Sequence, residues 1–138
     1  MNIELVRKNK AFHFEATDAN QHIVQIDASP NIGGADKGTR PMDLVLMGLG
    51  GCSSIDIGLI LKKQKQELKD FKVQIQAERE DAVPSLFKKI NLHFILWGDL
   101  KENKVVKSIE LSLQKYCSVA KILEPTAEIT YTYEIVNE

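Results

Sequence analysis

The chain has 138 residues, with 18 basic and 19 acidic side chains for a net charge of −1, and 43% of it is hydrophobic. That length suffices for a single domain, 1–138, burying roughly two thirds of its chain surface without disulfide staples. The charge balance excludes the basic excess that nonspecific binding to nucleic acid or to an anionic membrane requires.

The amino terminus, MNIELVRKNK, has no apolar run after its charges, so it reads as neither a secretory signal nor a membrane anchor, and the expected location is the cytoplasm. Three short strands are expected in the first 27 residues: Ile3, Leu5 and Arg7 alternate with their neighbours, Phe12 and Phe14 flank His13, and Ile23, Val24 and Ile26 follow a TDANQ turn. His13 and His22 read as solvated or edge polar groups. Ala28 to Thr39, ASPNIGGADKGT, has one proline, three glycines and no periodicity, and reads as a loop.

Arg40 to Lys63, RPMDLVLMGLGGCSSIDIGLILKK, is the segment around which the rest is organised. Pro41 suits a first helical turn, Thr39 is a candidate N-cap, and Asp43 lies where a carboxylate favours the helix dipole, a capping role that ranks above a catalytic one. No charge falls between Asp43 and Asp56, a run shorter than the ~20 apolar residues a bilayer needs, so the segment reads as a buried core helix. Gly48, Gly50 and Gly51 each cost up to about 1 kcal/mol in a helix, and either close approach of a backbone or ligand, or helix packing, explains them. The helix should turn polar after Leu61 and end near Asp70.

Phe71, Val73, Ile75 and Ala77 alternate as a strand, a turn follows around Pro84, and Phe87 to Trp97 is the clearest strand in the chain. Its His93 falls on the polar face. Lys104 to Tyr116 returns to helical spacing, with Val105, Ile109, Leu113 and Tyr116 on one stripe. Cys117 and Ser118 stand where a helix would break and restart, Pro125 closes the second piece, and Ala127 to Val136 alternates as a last strand. The order βββ-α-ββ-α-β makes an α+β domain, a long buried helix packed on antiparallel sheets.

Two cysteines are too few for a structural disulfide framework, and Cys117 lies 65 positions after Cys52, so they form no CxxC motif. With three scattered histidines they lack any ligand spacing for a metal, and none is expected. Asp56 follows Cys52 by one helical turn, where its charge disfavours a thiolate. GLGG lacks the lysine and hydroxyl of a phosphate loop.

The run RPMDLVLMGLGGCSSIDI, which holds Cys52, and KYCSVAKIL, which holds Cys117, together resemble the OsmC/Ohr family of small thiol proteins, within it the YhfA-like branch. The resemblance covers essentially the whole chain. It implies an intertwined homodimer with the long helices between two sheets, and reduction of organic hydroperoxides with no cofactor. Cys52 would attack the peroxide oxygen and become a sulfenic acid, Cys117 would resolve it as a disulfide, and a dithiol reductant would restore both. Catalytic members activate the first cysteine with an arginine from the amino-terminal strands, held by a glutamate ten residues before that cysteine. Here that position is Met42, the carboxylate stands at Asp43, Lys10 aligns with the arginine, and Arg40 lies in the preceding loop. The alternative is a non-catalytic dimer that binds an apolar or acyl ligand at the subunit interface, its cysteines only lining the pocket.

Overall fold

The computed structural model describes residues 1–137. It divides into two compact units, residues 1–47 and the chain from Gly48 onward. In the first, β1 (Glu4–Arg7), β2 (Phe14–Thr17) and β3 (Ile23–Ile26) form an antiparallel meander in which Arg7 faces Phe14 and Phe14 faces Ile26. The turn between β2 and β3 is held by Asp18, whose carboxylate accepts the Asn20 and His22 amides.

The loop after β3 is organised by Asp27. Its carboxylate accepts the backbone N–H groups of Ala28, Ala35 and Lys37 at 2.7, 3.2 and 3.0 Å. Gly34 permits that fold, since a Cβ there would lie 1.9 Å from the Ala28 carbonyl oxygen. Thr39 is used in backbone pairing with Gln25 and Asp27. The helix therefore starts one residue later than the sequence suggests: Pro41 is its first residue, and the Arg40 carbonyl accepts the Leu44 amide, which makes Arg40 rather than Thr39 the cap.

Helix α1 runs Pro41–Lys63, shorter than the expected end near Asp70. Lys65 adopts a left-handed conformation, φ 59°, while its amide bonds to the Lys62 carbonyl and that of Gln66 to Leu61. This is a Schellman closure with lysine where glycine usually stands. At 23 residues, with a mean hydropathy of 1.9 over its most apolar 18-residue stretch, α1 meets the length and composition of a membrane span, which corrects the length argument made from its uncharged run. Its packing marks it as a folded helix of the protein: Leu49, Ser53, Ile57 and Leu61, four apart, are fully buried. Ile55 and Leu59 are exposed, so within one chain the apolar surface is covered on one stripe only. Of the helix glycines, Gly50 answers to close approach, because a Cβ there would come within 2.9 Å of Ile75 Cδ1.

The second sheet has the order β4 (Asp70–Arg79), β5 (Phe87–Trp97), β6 (Glu128–Val136). β4 and β5 are antiparallel, but β6 joins β5 in parallel, with Ile90 facing Ile129 and Trp97 facing Val136. Here the all-antiparallel expectation is corrected: α2 (Glu102–Leu111) and α3 (Ser118–Leu123) return the chain to the starting end of β5, and a helical crossover delivers a parallel strand. β5 is the middle strand and supplies Phe87, Ile90, Leu92, Phe94 and Leu96 to the core. Each such side chain contributes about 1.5–3 kcal/mol by burial.

Candidate functional site

Between α2 and α3 the chain makes a π-helical turn, Ser112–Tyr116. The wider turn changes the phase of the helix. Val105, Ser108, Ile109 and Ser112 are the buried positions, and Tyr116, expected on the apolar stripe, is exposed. Cys117 then leaves helical geometry at φ −74°, ψ 106°, and its Sγ accepts the Ala120 amide at 3.4 Å as the N-cap of α3. Its own amide bonds to the Ser112 carbonyl at 2.7 Å. The break places a fully buried thiol toward α1.

Cys52 meets it from the fourth turn of α1. The Cys52 Sγ, the Cys117 Sγ and a carboxylate oxygen of Asp56 all lie within 4.8 Å of one another, with Cys52 and Asp56 half-buried. Asp56 is steadied by Ser112, whose hydroxyl lies 3.1 Å from Asp56 Oδ2 and 3.4 Å from the Ser53 carbonyl oxygen. Ser53 turns its own hydroxyl back to the Leu49 carbonyl at 2.8 Å. Burial pushes the Cys117 thiol up to about 11, and a hydrogen bond to Cys52 and the charge of that sulfur push the same way against the Ala120 N–H. Cys117 therefore stays protonated at neutral pH.

Both cysteines singled out from the sequence thus come together, as does Asp56, which the four-residue spacing placed on the Cys52 face. Sequence reasoning misses Ser112, although it continues the helical face of Val105, Ser108 and Ile109: a serine on such a face carries no chemical signal by itself. The auxiliary candidates lie in the first unit. Arg40 bonds the Gly38 carbonyl and pairs with Asp36 at 3.0 Å, Asp43 is exposed in the first turn of α1, and exposed Lys10 lies in the β1–β2 turn, where its carbonyl accepts the Arg7 guanidinium. His93 bonds Thr132 and Glu134 on the polar face of its sheet, as expected.

A family model described as OsmC-like protein matches residues 34–132. Protein YhfA of Escherichia coli K12 is 44% identical over 124 residues, which span 89% of this chain and 90% of that protein. Among solved structures, a hypothetical protein from Aquifex aeolicus is similar with a TM-score of 0.87 and 28% identity, over 99% of this chain and 96% of that one. An organic hydroperoxide resistance protein, OsmC, from Legionella pneumophila shares the fold with a TM-score of 0.72 at 17% identity, over 96% and 95% of the two chains.

Proposed function

The chain belongs to the family of OsmC-like proteins, and from that premise we propose that it is a thiol peroxidase for small organic hydroperoxides, acting in oxidative stress defence. The observation that carries this is the approach of Cys52 and Cys117, far apart in sequence, to within 4.8 Å. The name of the Legionella protein points to the same substrate class.

In this reading the Cys52 thiolate attacks the distal peroxide oxygen. An S–O bond forms, the O–O bond breaks, and the departing alkoxide takes a proton to leave as alcohol. Cys117 gives up its thiol proton to Asp56 as its sulfur attacks the sulfenic sulfur. The S–S bond replaces the S–O bond, and the thiol proton joins the departing hydroxyl as water. Asp56, with a carboxylate oxygen within 4.8 Å of both sulfurs, relays that proton. A dithiol reductant restores the pair, and a reducing cytoplasm keeps it ready. Asp43 stands in the first turn of α1, where a carboxylate favours the helix dipole, and Lys10 and Arg40 are the other auxiliary groups that the family resemblance names.

The working form is a homodimer. Leu5, Val6, Ile23 and Val24 of the first sheet and Ile55 and Leu59 of α1 are exposed in a single chain, more apolar surface than scattered single residues present. The same exposed residues favour one other reading, a non-catalytic dimer holding an apolar or acyl ligand at its interface.

Free-thiol count and intact mass after one equivalent of cumene hydroperoxide decide between them. The wild type should lose both thiols and two hydrogens, Cys117→Ser should stop at a trapped sulfenic acid, and Cys52→Ser should be inert. Unchanged thiols in the wild type would overturn the peroxidase and leave the ligand-binding dimer.

A further inference from the structure

We propose that Cys52, Asp56 and Cys117 bind one zinc ion through two thiolates and one carboxylate with a fourth position open, and that the zinc-bound and disulfide states exclude each other. No spacing in the sequence announces such a site, because its ligands come from α1 and from the break before α3. The fold assembles it.

The geometry is close to what zinc asks. Zn–S bonds of about 2.3 Å and Zn–O bonds of about 2.0–2.2 Å in a tetrahedron put donor atoms roughly 3.5–3.8 Å apart. The three donors here already lie within 4.8 Å of one another, so small side-chain rotations close the site. Cys52 and Asp56 are fixed one turn apart on a rigid helix, a spacing that presents two ligands side by side. Cys117 hangs from an extended residue, and its sulfur accepts the Ala120 amide at a long 3.4 Å. Two soft thiolates favour zinc over magnesium or calcium.

The second shell is also in place. The Ser112 hydroxyl holds Asp56 Oδ2, which orients the carboxylate and leaves it acceptor capacity for a metal. Cys52 and Asp56 are half-buried, which gives the ion and a water as fourth ligand access from solvent. Binding forms two Zn–S bonds while two S–H protons pass to solvent, with no change of oxidation state. Oxidation by a diazene such as diamide reverses it: the S–S bond forms, both Zn–S bonds break, and two electrons and two protons reduce the N=N group to a hydrazine as Zn²⁺ leaves.

The test uses the reduced full-length protein, freed of metal and titrated with cobalt(II) and then zinc(II), with no peroxide present. One equivalent of cobalt should give sulfur-to-cobalt charge-transfer absorption and tetrahedral visible bands, displaced by one equivalent of zinc. Cys52→Ser and Cys117→Ser should each remove about half of the charge-transfer intensity. Asp56→Asn should keep that band while weakening zinc at least as much as Ser112→Ala, for which about a ten- to hundredfold loss is expected of an outer-shell partner. Diamide-treated wild type needs no substitution and should release its zinc. Cobalt bands without the sulfur component, zinc affinity unchanged in Asp56→Asn, or an oxidised protein that retains zinc would each overturn the proposal, whatever the fate of the peroxidase reading.

Discussion

The two units bury different things. Among residues 1–47 the one fully buried side chain is a carboxylate, Asp27, whereas from Gly48 onward the buried set is led by Leu49, Ile57, Leu61, Phe94 and the other apolar residues of β5 and α2. The first unit is therefore organised around hydrogen bonds and the second around packing. Each has an acidic group of interest, and they are satisfied to different degrees. Asp27 accepts three backbone amides, while Asp56 has one hydroxyl donor and sits against two thiols. A carboxylate whose acceptor sites are filled by backbone donors fixes a loop; one left with acceptor capacity beside nucleophiles is available for chemistry.

The comparison predicts its largest effect at Asp27. Asp27→Ala strands three amides in a turn that Gly34 already makes tight, and should lower the melting temperature by several degrees and open residues 28–38 to protease. The effect should also depend on pH with a definite sign. The Lys37 amide above all, with those of Ala28 and Ala35, holds the Asp27 carboxyl below its ordinary 3.8 against the opposing effect of burial. Its contribution is thus fully present above pH 3.8 and lost as pH falls through the lower folded value. Thermal melts across pH 2–6, run on wild type and Asp27→Asn, should show a steeper acid limb in the wild type. Superimposable limbs would reduce the Asp27 clasp to an ornament.

How much of this was legible in the sequence differs between the units for the same reason. β5 announces itself by strict alternation over Phe87–Trp97, and Pro41 marks the start of α1. What failed depended on backbone geometry that no residue type advertises. The end of α1 is missed because Lys65, not glycine, takes the left-handed position; the helical phase is lost at the π turn, so Tyr116 reads as core; and the direction of β6 is set by a crossover rather than by its own residues. Asp56 could be placed beside Cys52 by counting four. That Cys117 joins them was accessible only through family resemblance, since 65 intervening positions carry no distance information.

A smaller effect is expected at Cys117. Its thiol is raised from 9.0 to about 11 in the folded protein, chiefly by burial. Between those values the unfolded chain has lost a proton that the folded one keeps, so stability should decline as pH rises from 9.0 toward 11. Cys117→Ser keeps an oxygen to cap the Ala120 amide but removes the titration. Its melting temperature should change less than that of the wild type over this range, by a few degrees at most, in reduced protein. A wild type equally flat there would mean that the thiol is less enclosed than its position before α3 implies.

The smallest expected change in stability, and the sharpest contrast with Asp27, is at Asp56. The Ser112 hydroxyl can donate to an amide oxygen as readily as to a carboxylate, so Asp56→Asn should alter stability by about 0.5 kcal/mol or less, measured by urea unfolding. Yet it removes a negative charge beside two sulfurs, which favours a thiolate there. Alkylation of Cys52 by iodoacetamide at neutral pH in metal-free buffer should become several-fold faster. A residue that barely moves the fold and strongly moves the thiol acts on chemistry rather than on architecture. If Asp56→Asn instead unfolds as readily as Asp27→Asn and leaves alkylation unchanged, Asp56 is a second clasp, and the difference between the two carboxylates is one of degree only.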